Sequence, residues 1–66
     1  MTIAEYLREV QSAIRCNPAW RSGQAYFNTL YQFRPDLSEK IRGTRLDPFH
    51  GVPSDDFFGF LLANWS

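Results

Sequence analysis

The chain has 66 residues and no net charge, since seven basic side chains balance seven acidic ones, so it is long enough for one small domain and no more. Two Trp, three Tyr and six Phe supply a core that is rich for this size, and the ordinary apolar content excludes an intrinsically disordered chain. One cysteine excludes an internal disulfide, and the longest apolar stretch, residues 57–63, is far shorter than the roughly 20 residues that span a bilayer.

The first predicted helix covers residues 3–16. Thr2 and Glu5 have the spacing of a capping box, in which each side chain binds the backbone N–H of the other residue. The apolar residues that follow recur with the period of a helix and fall on one face, namely Ile3, Tyr6, Leu7, Val10 and Ile14. The pattern therefore predicts an amphipathic helix with one buried face.

The second predicted helix covers residues 18–33. Asn17 is a favourable N-cap residue and Pro18 is favoured at the first helical position, so the two together predict a helix start. Gly23 lies in the middle of the apolar face, where a glycine costs about 1 kcal/mol relative to alanine. We therefore expect another helix to approach closely at Gly23.

The remaining predicted elements are a short helix at 36–42, a loop at 44–53 and a last helix at 55–65. Gly43 is expected to end the short helix by adopting a left-handed conformation. Phe60 points away from the centre of the apolar face of the last helix and is either exposed or covered by the 44–53 loop. The predicted fold is all-α, a compact bundle of three main helices (3–16, 18–33 and 55–65) plus the short one, forming a single domain over residues 1–66. The residues predicted to be largely buried are Ile3, Leu7, Val10, Ile14, Phe27, Leu30, Phe58, Leu61 and Trp65.

Residue types that carry catalysis or bind metals are scarce. One Cys and one His exclude a Cys/His zinc site, and the acids Asp47, Asp55 and Asp56 lack the pattern of a calcium loop. Cys16 and His50 are the one nucleophile–base pair available, but Cys16 ends a helix, where the dipole disfavours a thiolate. No glycine-rich phosphate loop is present. We therefore expect no catalytic residue, no cofactor and no metal, and a protein that is not an enzyme.

Basic residues are concentrated in the middle of the chain, while the acids Asp47, Asp55 and Asp56 follow the last base, Arg45. Either the two segments attract each other within the fold, or the basic residues form a surface for nucleic acid. A nucleic-acid-binding module is thus the alternative function, although zero net charge disfavours it. That alternative requires one face to unite Arg15, Arg21, Arg34, Arg42 and Arg45.

A small non-catalytic protein-interaction module is the function that the pattern favours, with either an unknown protein or a second copy of the chain as partner. Aromatic residues and arginine are enriched in the centres of protein interfaces, and several polar residues of the second helix lie opposite its apolar face. The candidate partner-binding residues are Arg21, Gln24, Tyr26, Asn28, Tyr31 and Phe60.

Four short motifs carry a resemblance to a group of short bacterial and phage proteins. They are Gly23–Asn28, Arg34–Leu37, Ile41–Thr44 and Leu46–Phe49. The chain is similar to that group over most of its length from Arg21 onward, but the resemblance implies no activity, cofactor or catalytic residue. It implies a bacterial or prophage accessory protein in the cytoplasm, with a host or phage protein as partner. A cytoplasmic location also agrees with the single cysteine and with an N-terminus that lacks a signal-peptide pattern.

Overall fold

Four helices make up the computed structural model, which describes residues 1–65. They are α1 (Ile3–Cys16), α2 (Ser22–Phe33), α3 (Pro35–Ile41) and α4 (Asp55–Asn64), and no strand occurs within the described residues. α2 is the central element and packs against both α1 and α3. The radius of gyration is 10.7 Å, close to the value of about 10.8 Å expected for a compact domain of this length. The prediction of an all-α bundle with a fourth, short helix is confirmed.

α1 begins as the sequence predicts. The backbone N–H of Glu5 donates to Thr2 Oγ1 at 3.1 Å, and the backbone N–H of Thr2 donates to Glu5 Oε1 at 2.8 Å, which completes the capping box. The hydrogen bond from the Thr2 backbone N–H stabilises the Glu5 carboxylate and holds the pKa of Glu5 below its ordinary value. The helix ends at Cys16, where the Asn17 side chain donates to the backbone oxygen of Ala13 at 2.9 Å.

α2 begins at Ser22, four residues later than the predicted start at Pro18. Asn17 does not cap it, because the Asn17 side chain is bound to the end of α1, and the backbone N–H of Trp20 closes a turn onto Asn17 O at 2.9 Å. The N-terminus of α2 has no side-chain cap. Instead, the backbone N–H of Gly23 donates to Gly51 O at 2.9 Å, so a distant loop satisfies one of the helix's open donors.

The loop of residues 44–53 is ordered by local hydrogen bonds and by contacts with α2. Both carboxylate oxygens of Asp47 accept backbone N–H groups, from Gly43 at 2.9 Å and from Phe49 at 3.0 Å. Gly43 has a φ of 72°, as predicted for the residue that follows α3. Pro48 is buried, and the Phe49 ring meets the Phe27 ring edge-on with centroids 5.9 Å apart. The loop thus packs against the core through Leu46 and Phe49.

Gly23 is closely packed, but against this loop and not against a helix. A Cβ at Gly23 would overlap the carbonyl oxygens of Pro48 and Gly51 and would lie 2.8 Å from the carbonyl carbon of Pro48. The predicted close approach at Gly23 is therefore confirmed, and the predicted identity of the neighbour is wrong. Periodicity identifies a buried face but does not identify which segment covers it.

The core lies between α2 and the other three helices. Its buried apolar residues are Tyr6, Val10, Ala25, Phe27, Leu30, Leu37, Ile41, Phe57 and Leu61. Four of the nine residues predicted to be buried are in this set, and the others, Ile3, Leu7, Ile14, Phe58 and Trp65, are half-buried. The last four of these pack against the core from its edges.

An aromatic cluster joins α1, α2 and α4, and its members are Tyr6, Tyr26, Phe57, Phe58 and Trp65. The ring of Tyr26 meets those of Phe57 and Phe58 edge-on, at centroid distances of 6.0 and 5.5 Å. The Tyr6 hydroxyl donates to the backbone oxygen of Tyr26 at 2.7 Å, so the one polar atom of this buried side chain is satisfied. Burial raises the pKa of the Tyr6 phenol well above its ordinary value.

Candidate functional site

The six predicted partner-binding residues fall into two groups. Gln24, Asn28 and Tyr31 lie along one side of α2, and Arg21, three residues before Gln24, is the N-cap at the start of that side. Tyr26 lies on another side, within the aromatic cluster, and Phe60 belongs to α4. The structure therefore brings four of the six residues to one surface, and it places Tyr26 and Phe60 away from it.

Tyr31 is the most exposed aromatic residue among the candidates, with 51% of its surface accessible. The guanidinium carbon of Arg42 lies 5.5 Å from the centroid of the Tyr31 ring and 5.6 Å from that of Phe27. Arg42 also forms an ion pair with Glu39 at 2.9 Å. These contacts hold Arg42 beside Tyr31, and about half of the tyrosine surface stays accessible to solvent. We call the surface formed by Gln24, Asn28, Tyr31 and Arg42 the Tyr31 face.

Gln24 and Asn28 are half-buried on the Tyr31 face. Within residues 1–65, neither side-chain amide takes part in a hydrogen bond or other polar contact. Each amide offers two donors and one acceptor, and none of these atoms is fully buried without a partner. The two amides are therefore available to donate to, and accept from, a molecule that packs on Tyr31.

Arg21 has a structural contact that the sequence did not predict. Its Nη1 atom donates to the backbone oxygen of His50 at 2.7 Å, which ties the 44–53 loop to the start of α2. Two residues further along the chain, the backbone N–H of Gly23 donates to Gly51 O. Arg21 is exposed, and it holds the loop at the edge of the Tyr31 face.

Tyr26 and Phe60 do not form an exposed aromatic pair. Both are half-buried and pack against the core. The Phe60 ring is thus partly exposed, since it is neither free in solvent nor fully enclosed. Sequence periodicity could not resolve this point, because Phe60 lies between the inward and outward sides of α4.

Three arginines of the middle segment, Arg34, Arg42 and Arg45, contact neighbouring acids, and Arg34 and Arg42 also contact aromatic rings. Arg34 binds both carboxylate oxygens of Asp36 at 3.1 Å and lies 4.9 Å from the centroid of the Trp65 ring, at the end of α4. This contact lowers the pKa of the Asp36 carboxyl. Arg45 binds Asp56 at 2.6 Å, at the beginning of α4. Because α4 has 10 residues, about 15 Å of helix separates the sites that Arg34 and Arg45 occupy.

The side chains considered above for catalysis and metal binding are Cys16, His50 and the acids Asp47, Asp55 and Asp56. Cys16 is exposed at the end of α1, and no hydrogen bond joins it to His50 within the described residues. The His50 ring meets that of Phe49 edge-on at 5.0 Å. Among residues 1–65 no three metal-ligating side chains come together and no pocket is present. The expectation that the protein is not an enzyme stays a prediction.

Leu62 is an exposed apolar residue on α4. It has 73% of its surface accessible, because α4 turns Phe57 and Leu61 inward and Leu62 lies about 100° around the helix from Leu61. Gly59 and Ala63 are exposed on the same side of the helix. The near-continuous apolar sequence of α4 did not indicate that Leu62 would face solvent.

Comparison with known proteins does not indicate a function for this chain. No family model, no curated protein and no solved structure matches this chain. Of the helices in the described residues, none has both the length and the apolar character needed to cross a bilayer. The resemblance to short bacterial and phage proteins stays an expectation, and the Tyr31 face is the feature on which a function can be argued.

Proposed function

We propose that this protein is a small, non-catalytic protein-interaction module that binds its partner through the Tyr31 face. The observation that carries the proposal is the half-exposed Tyr31 ring, which Arg42 holds from one side and two uncommitted amides flank. Tyrosine and arginine are the residues that most often dominate the binding energy of a protein interface. Side chains held in place before binding also lose less entropy when the complex forms.

The composition of the Tyr31 face suits a polypeptide surface. Tyr31 offers an amphipathic ring with few rotatable bonds, and Gln24 and Asn28 can each donate and accept a hydrogen bond. A protein partner presents backbone N–H and C=O groups that match such amides. In the bacterial or prophage setting that the resemblance implies, the partner is a host or phage protein.

The alternative, a nucleic-acid-binding module, has less support. Arg34 and Arg45 are paired with acids and are associated with opposite ends of α4, and Arg42 is paired with Glu39. A surface that binds phosphates needs several uncompensated cations that converge. We expect titration with mixed-sequence DNA and RNA at physiological salt to give only weak binding, and sub-micromolar affinity with a steep salt dependence would favour the alternative.

Substitution of Tyr31 tests the interaction proposal directly. The tagged chain is used to capture partners from cells of its source, and each captured protein is purified and titrated against the wild type and the variants. Truncation of a hot-spot tyrosine costs about 2 kcal/mol or more, so Tyr31→Ala should weaken binding by roughly 30-fold. Asn28→Ala should weaken binding by a smaller factor, because one hydrogen bond contributes about 1 kcal/mol.

Gln11→Ala is the matched control, because Gln11 is an exposed glutamine of α1 and is not part of the Tyr31 face. Leu62→Ala tests whether the partner instead binds the exposed side of α4. Circular dichroism checks that every variant folds. The proposal is wrong if a purified partner binds Tyr31→Ala as tightly as it binds the wild type, and an effect confined to Leu62→Ala would place the interface on α4.

A further inference from the structure

We draw no further inference here: the strongest candidate, the outer side of α4 formed by Gly59, Leu62 and Ala63, is an unpartnered apolar face and nothing in the structure shows what covers it.

Discussion

Two helical glycines in this chain have opposite surroundings, and they give opposite predictions at the scale of one residue. Gly23 faces the backbone of the 44–53 loop, where a Cβ would overlap two carbonyl oxygens, whereas a Cβ at Gly59 would meet nothing within 4 Å. Backbone atoms of an ordered loop cannot rotate away as a flexible side chain can. The same substitution should therefore destabilise the protein at one position and stabilise it at the other.

We expect Gly23→Ala to lower the free energy of unfolding by about 1–3 kcal/mol, because overpacking outweighs the better helix propensity of alanine. Gly59→Ala should raise the free energy of unfolding by up to about 1 kcal/mol. Urea denaturation of both variants and the wild type measures the two changes. A midpoint for Gly23→Ala that rises with an unchanged slope would contradict the close contact with Pro48 and Gly51.

Tyr6 makes stability depend on pH in the alkaline range. The raised pKa of its buried phenol means that the folded protein keeps the proton at a pH where the unfolded chain, with a tyrosine pKa of about 10, loses it. The contribution is fully present below pH ~10 and is lost as the pH rises above it, at up to about 1.4 kcal/mol per pH unit.

The variant Tyr6→Phe isolates this effect from the other titrating groups. At neutral pH it should be less stable than the wild type by about 1 kcal/mol, since it loses the hydrogen bond to Tyr26 O. Between pH 9 and pH 11.5, its stability should fall less steeply than that of the wild type. Parallel curves in denaturation experiments across this range would show that Tyr6 ionises as readily in the folded state as in the unfolded state.

At the scale of the helix, the N-termini of α1 and α2 have different hydrogen-bond partners. α1 begins at a capping box formed by residues three apart, which the sequence predicts to the residue. α2 has no side-chain cap, and its start depends on a carbonyl oxygen from Gly51, distant in sequence. The Asn17–Pro18 pair is a valid start signal by local rules. It fails because Asn17 caps the end of α1 and the following residues form a turn.

Removal of the α1 cap should have a modest and specific effect. We expect Thr2→Ala to lower the free energy of unfolding by about 1 kcal/mol at neutral pH, because a Glu5 backbone donor loses its acceptor. Thr2→Ser retains a hydroxyl at this position and should leave most of the stability intact. Thermal denaturation of the three proteins makes the comparison, and equal losses for alanine and serine would rule out capping as the cause.

The same cap predicts an acid dependence. The pKa of Glu5 is lower in the folded state because its carboxylate is bound to Thr2. The resulting stabilisation is present above the unfolded pKa of Glu5, about 4.3, and is lost as the pH falls through the lower folded value. Glu5→Gln, whose side chain does not ionise, should therefore show a smaller difference in stability between pH 6 and pH 3 than the wild type, which denaturation at the two values measures.

At the scale of the whole molecule, stability depends on a few fully buried side chains. A domain of this length has a free energy of unfolding of about 3–10 kcal/mol in total, while truncation of a buried leucine costs about 2–5 kcal/mol. Leu61 is 1% exposed and its neighbour Leu62 is 73% exposed, so the two give a matched pair of truncations within one helix.

We expect Leu61→Ala to remove most of the stability, because it leaves a cavity where α4 meets the core. Leu62→Ala should change the free energy of unfolding by no more than about 0.5 kcal/mol. Phe27→Ala should resemble Leu61→Ala, since Phe27 holds the loop through Phe49. Thermal midpoints measure these differences, and similar losses for Leu61→Ala and Leu62→Ala would invalidate the assigned orientation of α4.

The sequence by itself determined the features that depend on neighbours along the chain. Helical periodicity and local caps predicted four helices, the boundaries of α1, the left-handed Gly43 and a tightly packed Gly23. Four of the candidate site residues reached one surface for the same reason, because positions three and four apart share a side of a helix. The prediction of a folded all-α domain needed no tertiary information.

Tertiary structure decided everything that depends on contacts between distant segments. The start of α2 was set by Gly51, the neighbour of Gly23 was the loop, and Arg42 reached Tyr31 from the end of α3. In α4 apolar residues occur on all sides, so the sequence predicted a buried Leu61 but only packing determined that Leu62 lies in solvent. Local rules act over one turn of a helix, whereas burial and hydrogen-bond partners are properties of the assembled bundle.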